Sequence, residues 1–151
     1  MKQVLAAVVL LLGGGALACK CATDSPFLTN AMSGPVVLVK VTAPGEQRVK
    51  VQVEQQLAGA NLAGVVTVEG ADGGNCNASV AGLKKGDRLV LALSQKQGGR
   101  LDLSGCGVHA LTVEGDVAKG AVDEGVTSMR LDALAKKVVE AQRAYEQFKA
   151  R

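Results

Sequence analysis

The sequence predicts a mainly β domain, a small closed barrel or a sandwich, with one C-terminal helix and a set of disulfide staples. Three observations predict it: short apolar or alternating runs cut apart by glycine-rich turns, an amphipathic tail, and four cysteines behind a secretion signal.

The first run, Val36-Val37-Leu38-Val39-Lys40-Val41, is nearly continuous, as expected of a strand covered on both faces. After the turn signal Ala43-Pro44-Gly45, residues 48–54 alternate strictly. Val49, Val51 and Val53 then face inward, while Arg48, Lys50, Gln52 and Glu54 face water. Residues 65–68, 88–93 and 100–103 are three further strands, separated by turns at 70–74, 85–87 and 97–99. Residues 108–114 read as a sixth short strand or a loop. No βαβ alternation and no internal repeat is visible. In the tail, Ser128 reads as an N-cap. Leu131, Leu134, Val138, Tyr145 and Phe148 then recur at helical spacing, with Lys149 and Arg151 suited to a helix C-terminus. Charges of mixed sign on the other face predict a helix docked on the barrel rather than on a membrane. The expected division is a signal at 1–18, the β domain at 19–114, a linker at 115–127 and the helix at 128–150.

The signal is read from Met1-Lys2, an apolar stretch over 4–12, Gly13-Gly14-Gly15 and Ala16-Leu17-Ala18, with cleavage expected after Ala18. The stretch is shorter than the roughly 20 residues a membrane span needs. An exported, periplasmic or extracellular protein without a membrane span is therefore expected. Lipidation of Cys19 is the minor reading, because Ala16 stands where a lipoprotein signal prefers a branched aliphatic residue. Loss of Lys2 lowers the formal net charge from +3 to +2, which gives no electrostatic case for nucleic acid. The pairs Lys84-Lys85 and Lys136-Lys137 read as solvated surface. Phe27, Tyr145 and Phe148 are the only aromatic residues, so neither a base-stacking platform nor a sugar-binding floor is expected.

Cys19, Cys21, Cys76 and Cys106 form an even set in an exported chain, which argues for disulfides with three possible connectivities. A Cys19–Cys21 bond would close a very small ring, against disulfide geometry. In an extended segment the two sulfurs point to one face and reach different partners, pinning the segment twice. Each long loop so closed contributes about 4 kcal/mol on the chain-entropy account. A four-cysteine metal site is the rival reading, but Cys-x-Cys plus two singletons departs from the usual paired zinc spacing.

Enzymatic readings are thin. His109 has apolar neighbours and no thiol partner if the cysteines are oxidised, and Ser94 and Ser104 belong to no nucleophile motif. Asp123-Glu124 reads as solvated. Residues 70–74 lack the lysine and helix of a phosphate loop. Asn77-Ala78-Ser79 has the form of a glycosylation sequon. No enzyme activity and no cofactor are expected.

From Cys19-Lys20-Cys21 the sequence resembles the netrin-like domain, and within it the tissue inhibitors of metalloproteinases. The likeness continues through Val36–Val41, Arg48-Val49-Lys50-Val51-Gln52-Val53-Glu54-Gln55-Gln56-Leu57, Asn75-Cys76-Asn77 and the stretch 83–93. It closes with Gly99-Arg100-Leu101-Asp102-Leu103-Ser104-Gly105-Cys106. The resemblance covers residues 19 to about 110. It implies a five-stranded Greek-key barrel of OB type, with Cys19 paired to Cys76 and Cys21 to Cys106. It further implies that the α-amino group and carbonyl oxygen of Cys19 chelate the catalytic zinc of a target metalloproteinase. Lys20 would enter the protease pocket, and Cys21, Ala22, Gly74 and Asn75 would form the flanking inhibitory ridge. The chain departs from the family in carrying Lys20 where a small residue is usual. It also lacks the proline after the motif, the third disulfide and the separate cysteine-rich C-terminal domain. The alternative expectation is a non-inhibitory OB-fold module that binds an envelope or extracellular protein.

Overall fold

The computed structural model describes residues 19–21 and 24–151. The expected signal at 1–18, and Ala22, lie outside the described residues. Nine strands are present: β1 (Val36–Ala43), β2 (Arg48–Ala58), β3 (Val65–Glu69), β4 (Arg88–Ala92), β5 (Ser94–Gln95), β6 (Leu101–Asp102), β7 (Ala110–Glu114), β8 (Val117–Asp123) and β9 (Val126–Arg130). A four-residue helix α1 (Phe27–Asn30) precedes them, and the long helix α2 (Leu131–Lys149) follows.

All nine strands belong to one sheet, in the order β5-β6-β3-β2-β1-β4-β7-β8-β9. The antiparallel neighbours β3-β2-β1-β4 have the Greek-key order. β6 then joins β3 in parallel, with Val68 opposite Leu101 and Glu69 opposite Asp102. β5 lies at the sheet edge, yet Leu93 alone separates it from β4, which lies five places along. The sheet therefore curls back on itself, and one bent strand serves both ends of the first six.

The side-chain period of two explains why the curl holds. Val37, Val39 and Val41 of β1 point into an inner core with Val49, Val51, Leu89 and Leu91. Val36 and Leu38 point the other way, into an outer core with Phe27, Val90, Leu111, Leu134 and Val138. β1 is thus apolar throughout because it separates two cores. Each Val or Leu so buried contributes about 1.5–3 kcal/mol. Phe27, fully buried, anchors α1 in the outer core.

The mainly β, barrel-like architecture with a C-terminal helix and disulfides is as the sequence predicts, but there are nine strands rather than five. Residues 108–114 yield a strand, β7. The expected linker at 115–127 is instead β8 and the start of β9. The hairpin forms because Ala118 and Val122 bury into the outer core while Glu124 and Gly125 make the turn between the strands. Ser128 does not cap the helix. It pairs with Lys119 inside β9, and the helix begins at Leu131, after Arg130, with no side-chain cap. The apolar stripe of α2 is used unevenly: Leu134 and Val138 are buried, whereas Phe148 is 76% exposed.

Candidate functional site

The candidate site is the segment 19–21 and the two loops to which it is bonded. Cys19 joins Cys76 across 5.5 Å between Cα atoms, and Cys21 joins Cys106 across 5.2 Å. This is the pairing that the resemblance implies. All four cysteines are thereby consumed, which overturns the rival reading of a four-thiolate metal site. Cys19, Lys20 and Cys21 are all exposed, so the segment lies on the surface with its sulfurs turned inward to two anchors. Among the described residues, no group of three or more metal-ligating side chains is gathered. No helix among them is long and apolar enough to cross a membrane.

The first anchor is the loop after β3. Asp72 Oδ1 accepts hydrogen bonds from the Gly74 and Asn75 amides, each at 2.8 Å. Those two amides hold the exposed Asp72 carboxyl below its usual pKa. Asn75 returns the favour: its Oδ1 accepts from the Asp72 and Asn77 amides, and its Nδ2 donates to the Gly70 carbonyl at 3.0 Å. The Asn75 carbonyl oxygen stands 3.7 Å from the Cys19 sulfur, so the structure places Asn75 against the first cysteine. Gly74 lies exposed on the same loop. The Cys76 carbonyl accepts from the Gly105 amide at 2.8 Å, and Asn77 bridges Ser104. The two anchors are therefore bonded to each other as well as to the segment. Asn77 spends its side-chain amide on the Glu69 and Gly70 carbonyls, which makes the sequon position a structural brace.

The second anchor is the loop 104–109. The Ser104 hydroxyl accepts from the Cys106 amide. His109 sets Nε2 at 2.9 Å from the Cys106 carbonyl and Nδ1 at 3.2 Å from that of Ala92. Both ring nitrogens face backbone carbonyls and the neutral ring donates to one of them, while the Ala92 amide donates to the His109 carbonyl at 2.8 Å and ties the loop to β4. Asn30 at the end of α1 donates to the carbonyls of Ser25, Pro26 and Val108, at 3.1, 3.1 and 2.9 Å. Gly107, at φ +83°, lies so close to Ser25 and Asn30 that a Cβ there would overlap both side chains.

Sequence reasoning named Cys19, Lys20, Cys21, Gly74 and Asn75, and the geometry groups the cysteines with Asn75. It missed Asn30 and Asp72. Asp72 had a signal in the Asp-Gly-Gly-Asn run, whose side chain-to-backbone turn is a known alternative to regular structure. Asn30 had none, because its partner Val108 is 78 residues away.

No family model and no curated protein matches the chain.

Proposed function

We propose that the chain, once cleaved before Cys19 and exported, is a metalloendopeptidase inhibitor of the tissue-inhibitor type. The α-amino group and carbonyl oxygen of Cys19 would occupy the open coordination positions of the target's zinc. The observation that carries this reading is the exposed segment 19–21 held at both ends by disulfides to mutually bonded loops. A head so held loses little freedom on binding, so its contacts go into affinity rather than ordering. An α-amino group ionises near pH 7.7–8.0, which leaves roughly a tenth to a third neutral and able to ligate at pH 7–7.4. Lys20, exposed between the two cysteines, would enter the target's pocket and select one that is polar or acidic. Cys21, Ala22, Gly74 and Asn75 would flank it.

Lys20 is also what favours a second reading, in which the same face docks an envelope or extracellular protein without inhibition. The experiment separates the two. The mature protein and a variant with one alanine added before Cys19 are assayed against a panel of zinc proteases, alongside urea unfolding. Chelation predicts at least about a hundredfold loss of inhibition in the variant at an unchanged unfolding midpoint. Retained inhibition overturns it. Intact mass supplies a further check, since an acylated Cys19 amine is incompatible with ligation.

A further inference from the structure

A cleft of about 300 Å³ opens beside the Cys76 loop, lined by Cys76, Ser94, Lys96, Arg100, Asp102 and Ser104 among others. Leu101 and Leu103 point into the inner core, so Arg100, Asp102 and Ser104 occupy the opposite face of that strand. Asp102 is the one buried charged side chain among the described residues, at 6% exposure. A carboxylate in that position is costly unless paired. Its partner is Arg100, whose Nη2 donates to Oδ2 at 3.1 Å while Nε stands 3.0 Å from Oδ1. That second approach is close enough for attraction but misaligned, and Oδ1 receives no hydrogen bond.

The consequence lies on the other side of the guanidinium. Arg100 is 61% exposed and engages Asp102 through Nε and Nη2 only, so the edge carrying Nη1 is uncommitted. Lys96 shares the cleft and has no carboxylate within ion-pair distance among the described residues. Within the cleft lining the two cations exceed Asp102 by one positive charge; the exposed Asp72, which also feels the charge of Arg100, lies outside that lining. A monoanion balances that excess, whereas a dianion would leave net negative charge over a buried carboxylate.

The geometry points to a carboxylate-binding subsite in this cleft, one that takes an acidic side chain of a partner polypeptide. Arg100 meets the carboxylate through its free edge, in the planar geometry that suits such pairs. Lys96 adds a point charge, and Asp102 acts as the positioning residue that holds Arg100 in place. Because Cys76 lines the cleft and is bonded to Cys19, a partner seated on the N-terminal segment also reaches this subsite. The subsite does not require zinc chelation, and its test is separate.

The test is a titration of the oxidised, ¹⁵N-labelled protein with N-acetyl-glutamate α-amide, its neutral glutamine counterpart and inorganic phosphate. The expected result is saturable shifts at the amides of Ser94, Lys96, Asp102 and Ser104 with the glutamate compound only. Lys96→Gln, a surface change that leaves folding intact, weakens binding about three- to tenfold. Asp102→Asn leaves both cations uncompensated and shifts the preference from the glutamate compound toward phosphate. Absence of saturable shifts overturns the subsite, as does an equal response to the glutamine compound or indifference to Lys96→Gln. Tighter binding of phosphate overturns its assignment to carboxylate.

Discussion

Replacing Cys21 and Cys106 together by serine leaves the Cys19–Cys76 bond in place and tests how firmly the N-terminal segment is held. Taken alone, the two bonds span 57 and 85 residues. They are not independent, because each shortens the loop that the other closes. With Cys19–Cys76 intact, the path from Cys21 to Cys106 runs two steps back to Cys19, across the bond, and thirty steps on from Cys76. That ring of about 32 residues gives about 3.7 kcal/mol of chain entropy at 25 °C. Either route must reach the same bond-free chain, so removing Cys19–Cys76 first, which leaves the longer loop closed, costs slightly less, about 3.3 kcal/mol. Removing both costs about 8 kcal/mol, since the last bond removed closes its full loop, worth about 4.2–4.6 kcal/mol. Urea unfolding under non-reducing conditions measures this. With a slope of about 1.5 kcal/mol per molar, the single losses lower the midpoint by about 2.2–2.5 M. A loss under about 1 kcal/mol, or a difference above about 1 kcal/mol between the two single removals, refutes the reasoning.

Two other outcomes follow from particular contacts. Phe27→Ala empties the anchor of α1 in the outer core and costs about 3–5 kcal/mol by urea unfolding, with the disulfides still formed. Asp72 has a folded pKa depressed by the Gly74 and Asn75 amides, so its contribution is present above the unfolded value and is lost as pH falls through the folded one. The stability gap between the protein and Asp72→Asn should therefore shrink as pH is lowered from about 5 to about 2. A gap that stays constant or widens contradicts the hydrogen-bonded carboxylate.

The elements whose physics is local were legible in the sequence. The alternation over 48–54 gave β2 its facing, and the unbroken apolar run gave β1 two covered sides. The cysteine count, in a chain whose first residues read as an export signal, pointed to staples. What escaped was set by distant partners. Residues 126–130 are compatible with either a helix start or a strand, and only pairing with β8 decides for the strand. The same holds for Phe148, whose helical spacing with Leu134 and Val138 promised burial. Nothing in the pattern says which part of α2 the sheet covers. At the candidate site the cysteines were visible, but Asn30 and His109 act through contacts across the fold, and Asp102, though paired locally with Arg100, lies between strands that pairing brings together.

β1 and β4 are a party wall between two rooms. Val37, Val39, Leu89 and Leu91 furnish one side, and Val36, Leu38, Val90 and Ala92 the other. A chain cut after Glu114 would keep every residue of the resemblance and both disulfides, yet strip Ala118, Val122, Leu134 and Val138 from the second side of that wall. The C-terminal hairpin and helix are thus not an appendage to a self-sufficient inhibitor-sized unit. The region that resembles a known domain shares its outer core with elements beyond it.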